Sequence, residues 1–287
     1  MNRALFTKAL TDGRALFAAL FVLLIAFPWL NIWLASKISL PAYADFLANA
    51  LPKKWEKLSA VSFSDMATPA GRIAIVFVHP ILTIGTALWA IARGSDCVSG
   101  EIGRGTMEML LAQPVTRTAI FATQAIVTVL GAAFLAAATL IGTALGLTTV
   151  QLDGDVSTSR FVPAAVVLFA LTFCLSGISA LASSWGSQRS RTIGLMGGVY
   201  IVATVMAIVG RMSDGWQWMR YFTFMSAYEP QAMVARPSEA WNVLAYDDGK
   251  LAGIGLGGRI LVLLAMGLVC YLAGGLIFNR REIPAPL

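Results

Sequence analysis

Few side chains in this 287-residue chain could carry covalent or proton-transfer chemistry. His79 is the single histidine; Pro80 follows it, and both sit in an apolar run over residues 73–92. A proton relay or ligand role there needs an acidic partner, and no apolar run supplies one. The expected role is therefore a helix-capping or pore-lining hydrogen bond. Cys97, Cys174 and Cys270 are odd in number and far apart, and two lie inside apolar runs. That pattern argues against a disulfide framework, and no zinc-like spacing exists, so no metal site is expected. The chain has no G-x-x-x-x-G-K-[ST] phosphate cradle and no G-x-S-x-G elbow or Ser/His/Asp set for hydrolysis. No Lys, Arg, Asp or Glu falls in the central part of an apolar run. An ion-coupled carrier keeps such a residue despite a cost of about 2.5–3.5 kcal/mol. The chain reads as a non-enzyme whose work must draw on a separate partner.

The polar chemistry gathers in residues 99–117, SGEIGRGTMEMLLAQPVTR, an island between two long apolar runs. Gly103 and Gly105 each disfavour helix by about 1 kcal/mol relative to Ala, so a helix is predicted only after them. Thr106 is the predicted N-cap, with Glu108 in the first turn where the helix dipole favours an anion. Pro114 ends the element by forcing its predecessor out of the helical region. Met107, Leu110 and Leu111 share one face, and Glu101, Arg104 and Glu108 follow the opposite stripe. The prediction is a short amphipathic peg at the membrane surface. Its plainer alternative is an ordinary loop with a surface-lying helix.

The elements that must hold this peg are membrane helices. The chain is 57% hydrophobic and 13% charged, against a usual charged share of about 25%. Apolar runs of about 20 residues recur, the length that crosses a roughly 30 Å hydrocarbon core. Residues 1–14 read as an interfacial helix. Crossings follow over 15–36 (bent near Pro28), 73–92, 118–147, 161–184, 193–210 and 260–279. The first run exceeds a signal-peptide core and lacks a cleavage site, so it is retained. Gly142 with Gly146, and Gly194 with Gly198, are small-residue pairs suited to close helix packing. Residues 211–259 are rich in Trp, Tyr and Phe, which favour the membrane–water boundary. The fold class is an all-α polytopic membrane protein, one domain over 1–287. A net charge of +6 without a basic block speaks for lipid headgroups rather than nucleic acid. Arg189 and Arg191, Arg280 and Arg281, and Arg93, Arg104 and Arg117 lie in short loops near helix ends. They place those loops and both termini in the cytoplasm.

Glu101, Gly105-Thr106, Glu108, Leu110-Leu111, Pro114-Val115 and Thr116-Arg117 occur in the order of the coupling segment of ABC-2 type transporter permeases, which this chain resembles. The ending Phe278-Asn279-Arg280-Arg281-Glu282 is also similar to that family's. The resemblance implies a permease subunit of an ATP-driven exporter in the cell (inner or cytoplasmic) membrane. It would form a homodimer, or a heterodimer with a related permease. Cytoplasmic ABC ATPase subunits would carry ATP and Mg, and this chain would bind no cofactor directly. Glu101, Arg104, Gly105, Thr106, Met107, Glu108, Leu110, Leu111, Pro114 and Arg117 would then be the ATPase-coupling residues, with Met107, Leu110 and Leu111 filling a groove on the ATPase. The second and fifth helices, including His79, Gly194 and Gly198, would line the pathway. A re-entrant helical hairpin near the outer leaflet would contain Tyr221, Phe224, Tyr228, Glu229 and Pro230. The alternatives are a channel or ion-coupled carrier and a non-transporting anchor or regulatory subunit. The transported substrate stays open.

Overall fold

A computed structural model describes residues 3–59, 61–152, 154–247 and 250–282. Six spans among them are long and apolar enough to cross a membrane. Helix α1 (Arg3–Ala35) is one unbroken element. At about 1.5 Å per residue it is far longer than a bilayer core, so one end projects beyond it. Among the described residues no separate interfacial helix precedes the first crossing: Leu5 and Ala9 are buried, and Gly13 lies against the Arg93 side chain, so packing carries the helix straight through this region. The helix also runs through Pro28.

The second crossing is split into α2 (Pro69–Val78) and α3 (Pro80–Ser95). Pro80 has no N–H and pushes His79 into an extended conformation, φ −65° and ψ 137°. His79 Nδ1 accepts a 3.2 Å hydrogen bond from the Ile81 amide and so caps α3. Its ring lies 4.6 Å from that of Phe27. The crossing continues as a π-helical turn, Asp96–Gly100, and a last turn, Glu101–Gly103. The helical path therefore passes through Gly100 and reaches Gly103, well beyond residue 92. Helix α4 (Thr106–Leu111) is the peg, and α5 (Arg117–Thr149) follows, with the Thr116 hydroxyl accepting from the Ala119 amide at 3.2 Å. Then come α6 (Val162–Trp185) and α7 (Arg189–Met212).

Helix α6 is the axis of the bundle, packed against α3, α5 and the last crossing. Helix α1 lies along α5, where a Cβ on Gly142 would meet the Ile25 carbonyl at 2.2 Å and one on Gly146 would meet Ile32 at 2.6 Å. This pair lets two backbones touch, which is how membrane helices gain packing without a hydrophobic drive between them. Helix α7 is peripheral: Gly194 and Gly198 are exposed, and a Cβ there would meet nothing. Lipid-type apolar side chains such as Leu195, Ile201 and Val202 cover its outer face.

The segment between the fifth and sixth crossings differs from a helical hairpin. It holds 3-10 turns at Asp214–Phe222 and Phe224–Ala227, then α8 (Pro230–Ala235). Strands β1 (Leu244–Asp247) and β2 (Lys250–Ile254) then pair antiparallel, with a bulge between Ala245 and Tyr246. Trp216, Trp218, Tyr221 and Phe222 are exposed, whereas Tyr228 and most of α8 are buried against α2 and α6. Helix α8 is the sole α-helix of this segment among the described residues; its short length and the proline at its start leave room for one buried turn rather than two arms. Helix α9 (Leu256–Arg280) closes the bundle. Lys8 meets Glu101, and Arg117 meets the Arg281 carbonyl, so the start of α1, the end of α9 and the peg share one end of the bundle, here the terminal end. The other is the far end.

Candidate coupling site at the terminal end

The peg is positioned by two glycines and two side-chain hydroxyls. Gly100 has no side chain because a Cβ would lie 2.2 Å from Asp96 Oδ1. Gly105 takes φ +70°, a left-handed conformation that costs other residues energy. It, and not Thr106, precedes the first helical residue. Thr106 instead turns its hydroxyl to Glu101, donating to the carboxylate and lying 3.2 Å from the carbonyl. The buried π-turn is satisfied by Ser183, whose Oγ accepts from Val98 and Ser99 amides at 3.1 and 2.9 Å.

Two carboxylates organise the site, and both are buried. Asp96, 3% exposed, faces Arg104 at 2.6 Å and Arg93 and Arg189 at 3.6 Å each. Glu101, fully buried, pairs with Lys8 and, at 3.2 Å, with Arg104. Arg93 also donates to the Ala9 carbonyl and Gln124 Oε1 at 3.0 and 2.9 Å. Burial works against the Arg104 charge, but its hydrogen bond to Asp96 and the nearby acids outweigh that and hold its guanidinium above the ordinary arginine range. One ionic network therefore joins α1, α3, the peg and the start of α7. Buried charges persist only when paired in this way.

This arrangement corrects the expected polar stripe: Glu101 does not face water. It also corrects the apolar face. Met107 is 1% exposed and packs with Cys97, Phe121, Tyr271 and Phe278. Leu110 packs with Leu5 and Ile120, and Leu111 borders both groups. These side chains are seated in the chain's own bundle, so they are not free to enter a partner's groove. The open rim is Arg104, Gly105, Glu108, Met109, Ala112, Gln113 and Pro114. Arg117 donates to the Phe278 carbonyl at 3.3 Å and to the Arg281 carbonyl. Arg281 in turn donates to Ser184 and Gly186 carbonyls at 2.9 Å, closing the end of α6.

The other predicted residues lie elsewhere. A cavity of about 540 Å³ lies between the second crossing and α7 at the far end. Val78 and Pro80 reach it, flanking His79, whereas Gly194 and Gly198 lie outside its lining. Tyr228 donates to the Phe77 carbonyl. Glu229, 7% exposed, receives Arg211 at 3.3 Å, Arg220 at 3.4 Å and Arg259. Tyr221 is exposed, Phe224 half-buried and Pro230 buried. Asp153, in the Asp153-Gly154-Asp155 stretch between the third and fourth crossings, whose composition marks a turn, lies outside the described residues.

Sequence reasoning missed Asp96, Lys8 and the Arg211–Arg220–Arg259 group. A partial signal for Asp96 was available: Arg93 and Asp96 are three apart, as are Glu101 and Arg104. The five-residue step from Asp96 to Glu101 turns an α-helix by about 140°, so the two pairs do not share a face until the π-turn over Asp96–Gly100 intervenes. No such signal joins Arg259 to Glu229.

The chain thus combines six apolar spans, a seated peg between the second and third, and a buried ionic hub behind it. The family model described as "ABC-2 family transporter protein" matches residues 6–283. No curated protein matches the chain. With nearly the whole length covered, the chain belongs to the ABC-2 family of transporter proteins, as a multi-pass membrane subunit.

Proposed function

We propose that this chain is the permease subunit of an exporter driven by separate cytoplasmic ABC ATPase subunits, which hold ATP and Mg and bind the exposed rim of the peg. The supporting observation is the ionic network at Asp96 and Glu101, which ties that rim to α1, α3 and α7. A push on the rim then moves helices rather than a slack loop. In this reading the terminal end faces the cytoplasm. A second permease, a copy of this chain or a related one, packs on the exposed face of α7 that carries Gly194 and Gly198. The pathway runs beside the second and fifth crossings.

The test uses rim residues that the bundle does not need. Met109 is 66% exposed. Met109→Asp and Glu108→Lys should insert at normal levels yet lose co-purification of the cognate ATPase and transport. If both variants keep both properties, the rim is not the docking surface.

A further inference from the structure

We propose that the far-end cavity between the second crossing and α7 binds a single-chain anionic amphiphile, its alkyl chain along the helix walls and its acidic head at Arg211. The volume of about 540 Å³ is within the roughly 300–1,000 Å³ of small-molecule sites. Tyr200 to Arg211 line one wall; at about 1.5 Å per residue that is a slot of about 16 Å. Val78, Ile84, Ile201, Val205 and Ile208 make it apolar, whereas Arg211 at the last turn of α7 makes one end cationic.

Charge complementarity selects the occupant. Three arginines, Arg211, Arg220 and Arg259, converge on the single carboxylate of Glu229, leaving an excess of two positive charges. The nearby Asp214 is already paired with Lys57 at 3.0 Å. Arg211 Nη1 donates to the Leu58 carbonyl at 3.2 Å and Nη2 to Glu229, but its Nε is buried with no hydrogen-bond partner. A part-buried cationic excess is costly unless an anion meets it. A zwitterionic head would bring a second cation to that end, and a neutral head would leave the excess unanswered. Planar guanidinium groups suit a phosphate, sulfate or carboxylate head.

The test needs no ATPase, so its failure is separate from failure of the coupling reading. Full-length protein in phosphatidylcholine nanodiscs is offered oleoyl lysophosphatidate, oleoyl lysophosphatidylcholine or inorganic phosphate, and retained ligand is counted by native mass spectrometry. Lysophosphatidate should bind saturably at one per chain, and the other two should not be retained. Arg220→Gln should weaken it at least tenfold. Thr204→Trp and Val205→Trp, which fill the slot, should abolish it. Arg236→Gln, outside the cluster, should not change it. Equal retention of lysophosphatidylcholine would reduce the slot to ordinary lipid contact and overturn the proposal. Phosphate binding that survives Thr204→Trp would leave an anion site alone, also overturning it. Loss of lysophosphatidate together with a native mass lower by one chain in the Trp variants would assign the slot to a second copy.

Discussion

Lys8 and Glu101 form an ion pair across 93 positions of sequence, joining the first turns of α1 to the final turn of the second crossing. Glu101 is fully buried, whereas the Lys8 side chain is 33% exposed, so the pair is anchored on its acidic side. Glu101 also holds Thr106 and Arg104, so α1 and the peg respond to the same carboxylate.

The energetic test of that link is a double-mutant cycle with Lys8→Met and Glu101→Gln, read by thermal unfolding in detergent. Contacting charged residues couple by about 0.5–3 kcal/mol, and this pair should fall in that range. Glu101→Gln should cost more than Lys8→Met because it also weakens two other partners. Strict additivity of the two changes would remove the pair from the coupling network.

Asp96 should be harder to replace. Asp96→Ala leaves Arg93, only 2% exposed, without its carboxylate, and breaking a buried pair costs about 3–5 kcal/mol. Asp96→Asn keeps hydrogen-bond acceptance and should retain part of the loss. Equal stability of wild type and Asp96→Ala would show that the three arginines do not depend on this hub.

Membrane orientation can be read with introduced cysteines, but not with Cys97, which is 2% exposed and would resist an impermeant maleimide from either side. In a chain freed of its native cysteines, Asp155→Cys at the far end should label in intact cells. Gln113→Cys on the peg rim should label only after permeabilisation. The reverse pattern would turn the protein over.

His79 offers a direct distinction between a cap and a relay. The Ile81 amide needs only an acceptor, so His79→Asn should preserve stability and transport. His79→Leu should cost about 0.5–2 kcal/mol, the usual value of a lost N-cap. A variant His79→Asn that folds normally but cannot transport would restore a proton-handling role to the imidazole.

Some of this architecture is written locally in the chain. Apolar run lengths mark the six crossings, and the coupling segment stands out as their polar interruption, because a bilayer imposes one length scale on every helix. Thr116 as a cap and Pro114 as a stop belong to the same class, since both act within a turn of their own position. Tertiary structure decided the rest. Periodicity marks Met107, Leu110 and Leu111 as an apolar face, but apolar burial is non-directional, so the pattern is the same whether a partner or the chain's own α1, α5 and α9 cover it. The ionic groups at Asp96 and Glu229 draw on helices far apart in sequence. Whether Arg189 or Arg259 is a loop charge or the partner of a buried carboxylate depends on the packing that brings those helices together.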